Sequence, residues 1–193
     1  MLVLGSRLKE TPVMSLQTGT RLASTGTPLI NPANLKIVAF ELEGPLLTEN
    51  PSFLRVADIR EFSGVGMIID SSDELLALDD VIKIKELYDL HFQLIGMSVM
   101  DEHKKKLGKV DNYTVETASF IIEQLNVKHG ILRGLTDTGV LIHRSQITEI
   151  NDNAIIVKST AKKSTIEPMK ESVRHEYVNP FRNPAPQPEH TDA

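Results

Sequence analysis

The sequence predicts an all-β protein: two tandem small β-barrels, a short helical connector and a disordered C-terminal tail. Three observations carry this. The chain repeats its apolar pattern at nearly constant offset. Each copy is written in short β-branched and aromatic runs bounded by turn residues. The last stretch is rich in proline and charge and poor in anything that builds a core.

The repeat comes first because it orders the rest. At an offset of 86, Leu8 falls on Leu94, Val13 on Val99 and Met14 on Met100. At 85, Leu22 falls on Leu107, Ile30 on Val115, Leu35 on Phe120, Ile37 on Ile122, Phe40 on Leu125 and Leu42 on Val127. At 88, Ile59 meets Ile147, Phe62 meets Ile150, and Met67, Ile68 and Ile69 meet Ile155, Ile156 and Val157. Three ordered offsets with such small gaps point to a duplication. The predicted organisation is residues 1–78 as the first barrel, 79–92 as connector, 93–160 as the second barrel and 161–193 as tail.

Within the copies, "IVAFEL" and "FIIEQLNV" read as strands, bounded by turns such as Asn31-Pro32-Ala33-Asn34 and Thr117-Ala118-Ser119. Phe120 and Ile122 share a face while Leu125 and Val127 lie on the other, so a bulge or bend is predicted near Gln124, as where a sheet curls into a barrel. "GVGMIID" and "NAIIVKS" are the closing strands, with "VADIREF" and "RSQITEI" as polar approaches of about one helical turn. The connector "DELLALDDVIKIKELYDLHF" places Val81, Ile84, Leu87, Tyr88 and His91 at helical spacing, with Ser71 and Glu74 set as a capping box. Its run "VIKIK" also alternates like a strand. The apolar stripe is expected to pack on the barrels.

The tail holds five of the ten prolines, no glycine, and balanced charges. Tyr177, Val178 and Phe181 stand there as isolated apolar anchors that either dock into a partner's groove or fold back on this chain.

Composition narrows the function classes. A formal net charge of −5 argues against general nucleic-acid binding, which draws its affinity from neutralised phosphates. The absence of cysteine excludes disulfides, thiol catalysis and Cys-ligated metal. "MLVLGSRLKE" has too short an apolar run for a signal peptide, and no stretch has the apolar length of a membrane span, so a cytoplasmic location is expected.

No catalytic, cofactor-binding or metal-ligating residue is predicted. The histidines at 91, 103, 129, 143, 175 and 190 form no metal-ligand spacing. His91 is expected as a packed, hydrogen-bonded side chain and His129 as a solvated loop residue. Gly64-Val65-Gly66 reads as a turn, lacking the third glycine and the helix of a phosphate cradle. Glu41, Glu43, Asp70, Asp73, Asp79 and Asp80 read as solubility and capping groups. "DEHKKKLGK" gathers His103, Lys104, Lys105, Lys106 and Lys109 in one hairpin, a solvated turn by default and a phosphate grip in the sharper reading. Asn112-Tyr113-Thr114 matches a glycosylation sequon, expected to be idle without a secretory signal.

The segments "PVM", "RLASTGTPLINPANLKIVAF", "VADIREF" and "GMIID" together resemble a PRC-barrel domain. "LIGMSVMDEHKKKLGKVDNYTVE" followed by "IHRSQITEINDNAIIVK" resembles it more closely, and the likeness covers roughly residues 6–160. The resemblance implies small six-stranded-type barrels that dock other macromolecules without catalysing a reaction. Family members include part of a photosynthetic reaction-centre subunit and a domain of a small-subunit ribosome maturation factor. Glu10 and Ala23 stand where the second copy has Gly96 and Gly108, which predicts different turn geometry in the first copy. The function expected is a non-catalytic cytoplasmic adaptor or scaffold holding protein partners. The alternative is a ribosome- or RNA-associated assembly factor. A third reading, an enzyme or small-ligand binder, would show itself as a deep polar pocket joining the barrels.

Overall fold

A computed structural model describes residues 1–128 and 139–159, which belong to one compact unit. The His129, tail and Tyr177/Phe181 expectations lie outside the described residues. In chain order the strands are β1 (Leu2–Leu4), β2 (Pro12–Ser15), β3 (Arg21–Asn31), β4 (Lys36–Glu43), β5 (Ser52–Arg55), β6 (Glu61–Ser63), β7 (Gly66–Ile69), β8 (Leu75–Ala77), β9 (Ser98–Asp101), β10 (Lys106–Glu116), β11 (Ile121–Lys128), β12 (Val140–His143), β13 (Ile147–Ile150) and β14 (Ala154–Val157). One helix, α1 (Ile82–Asp89), interrupts them. The protein is mostly β, as expected.

Strand order runs β13-β14-β9-β10-β11-β4-β3-β2-β7-β6 through a 14-stranded mixed sheet. Read from its centre outward, each half has the same order. β4, β3 and β2 form an antiparallel meander, β7 joins β2 in parallel and β6 turns back on β7. In the other half β11, β10, β9, β14 and β13 do the same. β5 flanks β4 as β12 flanks β11. Paired strands begin at offsets of 86 for β2 and β9, 85 for β3 and β10, and 88 for β5 and β12.

The ends of this path, β6 and β13, do not pair with each other, so no closed barrel is formed among the described residues. That departs from two separate barrels, and the core explains why. One apolar cluster takes Ile30, Leu35, Ile37, Phe40 and Met67 from the first half and Val99, Val115, Phe120, Ile122, Leu125 and Ile155 from the second. A half of about 70 residues has little apolar area to bury on its own. The shared cluster ties the halves together, while Val13, Ala23, Leu42, Leu54 and Ile69 form a further cluster within the first half.

The join is reciprocal. The Ile37 amide donates to the Phe120 carbonyl and the Ile122 amide to the Leu35 carbonyl, both at 2.9 Å. Leu35 and Phe120 are both buried with φ of 54°. Bulky residues rarely take left-handed backbone. Here burial of both side chains beside the join offsets that cost, and Phe40 meets Phe120 edge-to-face at 6.0 Å.

The bulge predicted near Gln124 is present: Thr114 faces Gln124 but Val115 faces Ile122, leaving Glu123 unpaired. Its counterpart skips Val38 in β4. Each bulge switches which residues point to the core, which is why strict alternation fails at both places.

The helix prevails over the strand alternative in "VIKIK", but it starts later than the connector. Ser71 and Glu74 do not cap it; Ser71 Oγ accepts from the Asp73 amide at 3.1 Å and Glu74 from the Asp70 amide at 2.8 Å, closing a separate short turn. Ile84 is buried with Leu29, Ala39 and Phe53, and Val81, Leu87 and Tyr88 lie against them. The apolar stripe therefore covers one face of the first half. His91 is hydrogen-bonded as expected, its Nδ1 2.7 Å from the Asp89 carbonyl, but it is exposed, follows the helix at φ 49° and has its ring 6.0 Å from that of Tyr88, so burial is the part of the expectation that is corrected.

Turn geometry is more alike in the two halves than the side chains suggested. Glu10 keeps the left-handed backbone of Gly96, at φ 59° against 86°. Its amide donates to Thr25 as that of Gly96 does to Val110, each at 2.7 Å. Lys104 (φ 63°) likewise matches Gly19 (φ 67°). At Gly108, with φ of 145° and no left-handed counterpart at Ala23, the halves differ as expected, and they differ too at Gly66 (φ 131°), matched by Ala154.

Candidate functional site

A cavity of about 470 Å³ lies across the seam between the halves. Its wall uses matching positions: Gly26, Thr27 and Pro28 of β3 face Asp111, Asn112 and Tyr113 of β10. Gly5, Ser6 and Lys9 from the N-terminal segment complete one side, and Phe92, Gln93, Leu94 and Ile95 the other. This is a pocket joining the halves, though its walls are more apolar than polar.

Tyr113 is the singular group here. It is 4% exposed, and its hydroxyl has no hydrogen-bond partner among the described residues. The ring lies over Gly5, where an added Cβ would come within 2.3 Å of it, so only glycine leaves the ring its place. Burial pushes the phenol from 10.0 up to about 12. Neighbouring Asn112 is tied down: its Nδ2 donates to Ser6 Oγ at 3.0 Å and its Oδ1 accepts the Tyr113 amide at 2.8 Å.

A pH prediction follows from this burial. The unfolded chain gives up the Tyr113 proton near pH 10.0 while the native fold holds it to about 12. The native state therefore binds more protons in that window, and stability falls as pH rises through it. Denaturation of wild type and Tyr113→Phe across pH 9 to 12 should show a steeper loss for wild type, by roughly 2 kcal/mol in all. Equal slopes would place the hydroxyl in water.

The sequence-predicted residues fall elsewhere. Lys104, Lys105 and Lys106 are exposed at the tip of the β9–β10 hairpin, with no ion pair among the described residues. The turn is held by buried Asp101, whose Oδ1 accepts from the His103 amide at 2.9 Å and the Lys105 amide at 2.8 Å. Gly64 and Val65 form a two-residue turn between β6 and β7. Asp70 pairs with Arg60, and Asp79 with Lys85 at 2.5 Å. His143 sits 3.4 Å from Glu123. None of these groups reaches the seam cavity, and no metal-ligand cluster occurs among the described residues.

The other uncovered feature is on the second half. Leu141 of β12 is 64% exposed, while its counterpart Phe53 in β5 is fully buried under α1 and edge-to-face with Tyr88 at 5.5 Å. β8 pairs with the outer edge of β5, whereas β12 pairs with β11 alone among the described strands. Asn126, opposite Leu141, leaves its Oδ1 buried without a partner.

Sequence reasoning passed over both places. Tyr113 looked like the middle of an idle sequon, and Leu141 is one apolar residue in a short strand. The repeat alignment could have flagged each, because Tyr113 falls on Pro28 and Leu141 on Phe53. No protein-family model matches this chain, and no curated protein matches it. No described helix is long and apolar enough to cross a membrane.

Proposed function

We propose that this protein is a non-catalytic adaptor made of two PRC-barrel-like halves opened onto a common core, working in the cytoplasm. The observation that carries the reading is the contrast between Phe53 and Leu141. The first half covers this position with α1 and completes the adjoining edge with β8. Among the described residues, the second half offers the same position exposed, on a strand with no partner on its outer side and next to an unsatisfied Asn126. An extended segment of a partner protein would add to β12 as β8 adds to β5, gaining backbone hydrogen bonds and burying Leu141.

Exposed Lys104–Lys106 keep a second reading in view, an RNA-associated assembly factor. Capture from native lysate separates the two, using the full chain, a 1–159 truncation and Leu141→Lys, each with and without RNase. The adaptor reading expects one discrete protein that survives RNase, is retained by 1–159 and is lost with Leu141→Lys. Ribosomal components released by RNase and cross-linked at Lys104–Lys106 would install the other reading. A partner indifferent to Leu141→Lys would remove β12 as the docking strand.

A further inference from the structure

We propose that the seam cavity is a binding site for a small amphipathic carboxylate, its apolar body between the halves and its carboxylate met by Tyr113 and Lys9. This goes beyond the adaptor reading and uses a different part of the surface.

The volume, about 470 Å³, falls in the usual range of small-molecule sites. Pro28, Ile30, Phe92 and Leu94 give it apolar walls. The Tyr113 hydroxyl makes no hydrogen bond among the described residues and is not shut off from solvent, so it is free to donate to a molecule in the cavity. The matching position in β3 is filled by Pro28, so the fold accepts a side chain with no polar atom here. Lys9 repeats the argument: its counterpart at an offset of 86 is Ile95, also in the cavity wall. At two positions, then, the cavity carries a hydrogen-bond donor where the other half carries hydrocarbon.

The chemistry of the pair selects the ligand's end. A phenol held neutral by burial donates and does not attract a cation. Lys9 lines the cavity, is exposed and has no ion pair among the described residues, so its charge is not spent within the protein. The one carboxylate in the wall, Asp111, is paired with Lys128 at 3.0 Å and adds little repulsion. Two donors, one of them cationic, over an apolar cavity favour a carboxylate with a hydrocarbon body.

Calorimetric titration of the full chain with decanoate tests this, with decyltrimethylammonium as a probe of like tail and opposite charge. Decanoate should saturate at one per chain and bind at least tenfold more tightly than the ammonium. Tyr113→Phe, which keeps the ring, should weaken decanoate about tenfold, the effect of a hydrogen bond to a charged group, and Lys9→Gln several-fold. Bound decanoate should also delay Tyr113 ionisation in the alkaline absorbance titration. Absence of saturable binding, equal affinity for the two probes, or wild-type affinity in both variants would each overturn the assignment.

Discussion

Phe40→Ala is expected to cost about 3–5 kcal/mol, the range for truncating a buried phenylalanine, and to weaken both halves together. Phe40 is fully buried in the cluster that both halves build, and its ring meets that of Phe120 across the join. Removing it leaves a void lined by residues of β4 and β11, which a rigid core does not fill. Two self-contained barrels would confine the loss to the first. A cluster shared by both spreads it. Hydrogen exchange read by mass spectrometry decides between them: protection of β4 and β11 amides should fall by the same factor, in one cooperative unfolding transition. If β11 kept wild-type protection, the shared core would be wrong.

That prediction marks where the sequence stops being legible. The duplication could be read because each half must present the same apolar positions to make the same strands. The bulge at Glu123 could be read because it breaks an alternation that burial otherwise imposes. Whether the halves close separately could not. Ile37, Phe40, Ile122 and Leu125 are apolar and inward-facing in either arrangement; only the reciprocal bonds of Leu35 and Phe120 choose between them. Backbone left-handedness was equally silent at Glu10, since glutamate gives no sign of it and a duplicated turn imposes it from outside. The seam cavity needs two surfaces distant in sequence, so nothing local to Tyr113 or Lys9 announces it.

The divergence between the halves is informative for the same reason. Where the fold needs a feature, both copies keep it: the Glu10 and Gly96 turn, the Gly19 and Lys104 turn, the paired bulges. Where one copy changes polarity, as at Tyr113 and Lys9, or leaves exposed an apolar side chain that the other buries, as at Leu141, the fold does not require the difference. Those three positions are where the two proposals rest. The inference is a comparison within one chain, with each half the reference for the other.

Gly108→Ala should be the most damaging small substitution in the second half, losing roughly 3 kcal/mol or more, or failing to fold. Two effects add. The backbone there has φ of 145°, a conformation that residues with a Cβ rarely adopt. A Cβ would also stand 2.2 Å from the carbonyl oxygen of Lys128, a backbone atom that pairing between β10 and β11 holds in place. Relief requires the two strands to part where Val127 enters the core. Gly96→Ala isolates the first effect: its φ is 86° but an added Cβ meets nothing within 4 Å, so a loss of about 1–2 kcal/mol is expected. Ala23→Gly, at the position matching Gly108, should cost about 1 kcal/mol through chain entropy alone. Denaturant midpoints of the three variants give the order directly. Equal losses for Gly108→Ala and Gly96→Ala would mean that β10 passes farther from Lys128 than the structure places it, and that left-handed backbone accounts for the glycine by itself.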